Sequence, residues 1–172
     1  MDYLTFLGLA SACAPMVHPG TASALVAVES SFNPHAIGVV GGALKRQPRS
    51  SNEALATARS LQANGWNFSV GLAQINVRNF DRLGLSLPSA FDPCENLRAM
   101  QTVLTECMNH TNSDNGSQRG LRRALSCYYS GNFVTGFRHG YVQRVVAVAG
   151  AQAWPVSNPA GPKAVSSYSS TR

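Results

Sequence analysis

At 172 residues the chain is long enough for one hydrophobic core and short of two domains, and its 44% hydrophobic content supplies that core. Fourteen Lys and Arg against eight Asp and Glu give a net charge of +6, and twelve of the fourteen are Arg, whose forked head suits carboxylates or phosphates, so an anionic partner is expected. Arg119, Arg122 and Arg123 are the nearest approach to a basic run and carry no interleaved aromatics, which argues against nucleic acid; no stretch approaches the ~20 apolar residues of a membrane span.

Residues 3 to 12 are apolar and predict a first helix, after which Pro15 and Pro19 interrupt the chain. Residues 21 to 30 hold small or aliphatic side chains, hydroxyls and one acid, Glu29, with Leu25 and Val26 one turn before it. Asn33-Pro34 ends this helix, because proline disfavours helical geometry in its predecessor. Glu29 therefore sits at a helix-to-loop exit beside apolar surface, where desolvation raises a carboxyl pKa toward the range a general acid needs. The plainer alternative is a helix-end glutamate with its stem packed and its head in water.

Residues 37 to 42 read as a loop or short strand. Ser50 and Glu53 stand at capping-box spacing before a helix whose stripe is Ala54, Leu55, Ala58 and Leu61, with Gly65 as its stop. Residues 66 to 76 carry Phe68, Val70, Leu72 and Ile75 around Gly71 and predict a hairpin or extended loop, Gly71 permitting close approach of backbone or ligand. Asp92-Pro93 opens a helix reaching about Met108; a polar loop over 109 to 118 leads to a return helix over 120 to 129, and Gly131 or Asn132 turns out of it. A last helix is expected over 140 to 151. The domain is accordingly placed at 1–152, and 153–172, rich in Pro, Ser and Gly without periodicity, is expected to be disordered.

Cys13, Cys94, Cys107 and Cys127 form no Cys-x-x-Cys pair and no zinc spacing, so two disulfides and an oxidising compartment are expected. The first residues do not add to that inference: Asp2 is acidic and the apolar run ends at Cys13, which we read as a domain helix rather than a lipoprotein cleavage site. Antiparallel helices flanking 109 to 118 would put Cys94 opposite Cys127 and leave Cys13 for Cys107, although sequence leaves connectivity open. Cys94 to Cys107 is excluded, since thirteen residues of helix hold them about 20 Å apart.

Four stretches sit oddly in a plain helical core: Glu29-Ser30, Gly71-Leu72-Ala73-Gln74-Ile75-Asn76, Tyr128-Tyr129-Ser130-Gly131-Asn132, and Tyr141 with Val142. In order and spacing they resemble the lytic transglycosylase and goose-type lysozyme superfamily, with its Glu-Ser, Gly-Leu-Met-Gln-Ile and Tyr-Asn-Ala-Gly segments. The resemblance is strongest to members attached to type IV secretion and conjugation systems, through Cys-Ala-Pro at Cys13, the loop from Ala36 to Gly42, Arg46-Gln47-Pro48-Arg49-Ser50 and Asp92-Pro93-Cys94.

That resemblance implies a mainly α, lysozyme-like single domain with a short β-hairpin or extended segment beside the cleft. It implies Glu29 as the catalytic acid and base, with Ser30, Gln74, Asn76, Tyr128, Tyr129, Asn132 and Tyr141 around the sugar and the Tyr128 hydroxyl aimed at the reaction centre; Tyr141 suits the core equally well. Ala73 replaces the usual Met, Tyr129 the Asn of the Tyr-Asn-Ala-Gly segment, and Phe137 a Glu that many relatives carry. The implied substrate is peptidoglycan in the periplasm, cut between MurNAc and GlcNAc with a 1,6-anhydro product, by a monomer that works without a cofactor and meets secretion-system core proteins. A hydrolytic lysozyme or a non-enzymatic wall-binding assembly subunit is the alternative.

The acids bear on that choice, because glycoside hydrolysis wants two carboxylates flanking the bond. The seven besides Glu29 fall on predicted polar faces, helix ends or loops, so none has a claim to be the second. Wall carboxylates also suit an arginine beside the cleft, Arg78 or Arg82. His18 and His35 flank the helix of Glu29 and are read as surface or core, and Ser126, Ser130 and His139 lack a triad acid.

Overall fold

The long helices begin where the sequence places caps. In the computed structural model, which describes residues 1–111, 114 and 116–152, Asp2 caps α1 (Tyr3–Cys13) and Ser50 caps α3 (Ser51–Ala63), each accepting a backbone N–H three residues on. Asp92 accepts from Cys94 and Glu95 at the start of α6 (Pro93–Asn109), with Pro93 at the first helical position. Pro19, expected to precede α2 (Pro19–Ser30), is instead its first residue, where its missing N–H costs nothing, and the His18 ring accepts from Gly20. α7 (Gln118–Ser130) and α9 (Tyr141–Gln152) match their expected positions. Three short helices were not legible: α4 (Phe80–Leu83), α5 (Leu87–Phe91) and α8 (Thr135–Arg138) are a turn or so each, too short for a periodic pattern.

The fold is mainly α and lysozyme-like, with 64% of the described residues helical and a small antiparallel sheet of order β1-β2-β3, built from β1 (Ile37–Val39), β2 (Phe68–Val70) and β3 (Ile75–Asn76). The expected hairpin is β2–β3, and the loop-or-strand over 37 to 42 supplies the third strand. Cross-strand pairing aligns Ile37, Val70 and Ile75, all buried, in one row and Gly38, Ser69 and Asn76 in the next, so the polar row faces away from the core. α2 runs through the centre: Ala22, Ser23, Ala24, Leu25 and Val26 are all 0% exposed, so it is covered on every side, with α9 and α1 packed against it.

One buried amide fastens the hairpin to the helices. Asn96 on α6 is 0% exposed; its Oδ1 accepts from Ala73 N at 2.8 Å, and its Nδ2 donates to Val70 O at 3.0 Å and Ala90 O at 2.8 Å. Gly71, with φ +79°, lets it in: a Cβ there would lie 2.3 Å from Asn96 Nδ2. The close approach expected at Gly71 is therefore by Asn96.

Two disulfides form, and their pairing corrects the expected one: Cys13 joins Cys94 and Cys107 joins Cys127, with Cα–Cα distances of 5.3 and 5.7 Å. α1 ends against the start of α6, which brings Cys13 to Cys94. Cys127, nine residues beyond the first residue of α7, lies level with Cys107 near the end of α6, so the two helices are not in the end-to-end register that the expected pairing required. The expected tail, 153–172, lies outside the described residues.

Proteolysis without reductant should yield the Cys13–Cys94 and Cys107–Cys127 peptide pairs and no free thiol. Asn96→Ala orphans the Ala73 N–H and two carbonyls at once, so it should cost about 2–4 kcal/mol in urea unfolding.

Candidate active site

Glu29 occupies the last turn of α2, and the backbone leaves the helix abruptly after it. Ser31 (φ 52°) and Phe32 (φ 60°) both adopt left-handed conformations, which cost free energy for residues other than glycine. Packing opposes that cost, since the Phe32 ring meets Phe6 edge-on at 5.0 Å and Tyr3 at 6.0 Å. The exit is thus earlier and sharper than Asn33-Pro34 alone implies.

The acid points between the core and an open cleft of about 680 Å³. Tyr141, the first residue of α9 and only 1% exposed, donates its hydroxyl to Glu29 Oε1 at 2.6 Å. Burial pushes the Glu29 pKa up to about 7, against the weaker opposing pull of the Tyr141 hydrogen bond and the Arg144 charge. Burial and the neighbouring carboxyl raise both Tyr128 and Tyr141 above the usual phenol range, so both remain hydrogen-bond donors.

One wall of the cleft is the polar row of the sheet, Gly38, Ser69 and Asn76, with Asn67, Gln74 and Arg78 beside it. Gln74 holds φ 50°, and its Nε2 donates to Ala36 O and Gly71 O, tying β1 to the hairpin turn. Its Oε1 lies where a Cβ on residue 38 would come within 2.7 Å, so a side chain at Gly38 would have to displace the Gln74 amide. The opposite wall is Tyr128, Tyr129, Gly131, Thr135 and His139. Tyr128 bridges the walls, and here the expectation is corrected: its hydroxyl donates to Ala73 O at 2.6 Å instead of pointing freely at the reaction centre.

Of the expected site residues the cleft gathers Glu29, Gln74, Asn76, Tyr128 and Tyr129. Three others serve structure. Ser30 donates to Val26 O within its own helix, Asn132 caps the turn by accepting from Val134 N and Thr135 N, and Tyr141 stands behind Glu29 rather than in the cleft. Ser126, 0% exposed, donates to Asn132 O and accepts from Gly136 N, which makes it a brace for that turn. Phe137 packs against the core.

The profile of the transglycosylase SLT domain family matches residues 7–144. The chain belongs to that family. It is 49% identical over 159 residues to the type IV secretion system protein virB1 of Brucella suis biovar 1, covering 88% of this chain and 67% of that protein. It is 36% identical over 151 residues to protein virB1 of Agrobacterium fabrum, covering 87% of this chain and 61% of that one. The chain thus spans about two thirds or less of the length of these relatives. No solved structure matches it.

Within this SLT fold Glu29 is the one carboxylate among the described residues lining the cleft. Asp2 and Asp92 cap helices, and Glu53, Glu95, Glu106 and Asp114 pair with Arg46, Arg98, Arg82 and Arg123. Asp81 is exposed on α4 and lines a separate hollow. Of the two arginines considered, Arg82 is engaged by Glu106 and Arg78 reaches the cleft. Among the described residues no three His, Cys, Asp or Glu side chains converge as a metal would require. The alternation of Asn67 and Ser69 about Phe68 could have revealed two further lining residues; Thr135, His139 and Arg144 carried no local signal.

A carboxyl whose folded pKa lies near 7 against an ordinary 4.5 favours the neutral form in the folded state. Its stabilising contribution is full below the unfolded value and is lost as pH rises through about 7. At 1.36 kcal/mol per unit, and discounting for the partial exposure of Glu29, Glu29→Gln should gain about 1–2 kcal/mol on wild type between pH 5 and pH 8 in urea unfolding.

Proposed function

We propose that this chain is a peptidoglycan lytic transglycosylase that cuts the β-1,4 bond between MurNAc and GlcNAc and leaves a 1,6-anhydro end. The observation that carries the reading is a single half-neutral carboxyl in an open cleft whose other described lining residues are neutral or cationic. With no second carboxylate to act as nucleophile or base, the substrate must supply the nucleophile.

In this scheme neutral Glu29 gives its proton to the glycosidic oxygen as the bond to the MurNAc anomeric carbon breaks, with the N-acetyl group assisting departure. Glu29, now a carboxylate, takes the proton of the sugar's own 6-hydroxyl as that oxygen closes onto the anomeric carbon, and the acid is restored. Because Oε1 already accepts from Tyr141, the transferable proton belongs on Oε2. A pKa near the working pH serves both half-steps, donation and abstraction.

The type IV secretion name of the Brucella suis relative and the two disulfides support action on the periplasmic wall, opening it locally for a secretion or conjugation apparatus. Among the described residues no helix is long and apolar enough to cross a membrane.

Muropeptide release from wall sacculi tests the reading. Wild type should release products about one water lighter than hydrolytic ones, as a 1,6-anhydro ring requires. Glu29→Gln, nearly isosteric, should bind sacculi and lose at least 10²–10⁴-fold in release, roughly the general acid–base contribution. Products carrying a reducing end would make the protein a hydrolytic lysozyme, and unchanged release by Glu29→Gln would remove the acid assignment.

A further inference from the structure

Tyr129 stands where the family segment has Asn, and the acid–base scheme gives it no task. Its ring stacks on that of Tyr141 at 4.6 Å between centroids with the planes 19° apart. The residue is 41% exposed and lines the cleft. Its hydroxyl lies 3.2 Å from Nδ1 of His139, whose ring meets it edge-on at 5.9 Å. The His139 carbonyl in turn accepts from Arg144 Nη1 at 3.1 Å. A continuous line of contacts therefore runs from His139 through Tyr129 and Tyr141 to Glu29, across α7, α9 and α2.

We propose that Tyr129 is a positioning residue for the acid: its ring, set by His139, covers Tyr141 and shields, on the Tyr141 side, the hydrogen bond to Glu29 Oε1 from cleft water. The inference rests on Glu29 as the acid, and it assigns Tyr129 an action through Tyr141 rather than on the sugar. Asparagine at this position, lacking a ring, leaves the face of Tyr141 open. The groups acting on Glu29 are Tyr141 and Arg144 of α9 and Tyr128 of α7, and Tyr129 reaches it only through the first. Opening the stack has two opposed effects. Water reaching the carboxyl favours its charged form, and a Tyr141 hydroxyl freed to move away disfavours it. Burial is the larger influence on Glu29, so hydration wins and the acid should titrate lower.

The test is carboxyl-13C NMR titration of the four glutamates, with the Glu29 signal assigned by its loss in Glu29→Gln. Tyr129→Asn should lower the Glu29 midpoint by about one unit, while Tyr129→Phe, which keeps the ring, should hold it within a few tenths. The alkaline limb of the pH profile of muropeptide release should move down with the midpoint in Tyr129→Asn. A Glu29 midpoint that stays in place or rises in Tyr129→Asn overturns the proposal. Weaker binding to sacculi with an unmoved midpoint overturns it too, and would make the ring a sugar platform. The titration needs no turnover, so it reads the same whether or not Glu29→Gln abolishes release, and the two ideas fail separately. Partial exposure of Tyr129 makes loss of folding unexpected, and thermal melting by circular dichroism confirms that the variants are folded before titration.

Discussion

Keeping one carboxyl half out of water is the constraint around which this domain is arranged. A carboxylate facing apolar surface is expensive to leave charged, and Glu29 meets that cost by holding its proton toward neutral pH. The hydroxyl of Tyr141 satisfies one carboxyl oxygen without supplying a charge. Such an arrangement requires α2 to be a core helix, with α9 packed against it so that Tyr141 meets residue 29 from 112 positions away. It also requires the chain to turn away at once, which the two left-handed residues Ser31 and Phe32 accomplish at a cost offset by the aromatic contacts of Phe32 with α1.

The cleft walls are held by buried polar groups that are spent on backbone. Asn96 satisfies two carbonyls and one N–H around the hairpin turn, and Gln74 ties that turn to β1. Across the cleft Ser126 braces the turn after α7 in the same manner. Tyr128 then joins the two sides through the Ala73 carbonyl. Residues that a motif presents as ligand contacts are here partly the scaffold's own hydrogen bonds, because hairpin and turn backbone groups facing the core must find partners there. Asn76 is spent in the same way, its Oδ1 accepting from Arg78 N and its Nδ2 donating to the Ser69 hydroxyl, while Asn67 lines the cleft beside them.

The two disulfides act on the same elements, joining α1 to the start of α6 and the end of α6 to α7. α6 is consequently fastened at both ends and carries Asn96 between them, which places a crosslinked helix directly behind the hairpin of Gln74. Charge follows a related economy. Most acids are matched by an arginine or a helix N-terminus, and among the described residues Arg78 is the arginine that lines the cleft.

What the amino-acid sequence determined by itself was local. Ser50, Asp92 and Pro93 announced their helices because capping is a contact within three residues, and the helical content, the hairpin over 66 to 76 and the acid beside apolar surface at a helix end followed from short-range pattern and motif spacing. Family membership was legible for the same reason, the motifs being short runs in a set order. Tertiary structure alone decided which cysteines meet, since antiparallel helices can slide along each other and only packing of α1 on α6 selects Cys13 for Cys94. It decided that Ser30 and Asn132 serve backbone while Asn67, Thr135 and His139 enter the cleft. It also decided that Tyr141, readable as either core or cleft, is both a core residue and the partner of the acid. Those outcomes depend on contacts between residues tens of positions apart, for which hydrophobic period and capping rules carry no information.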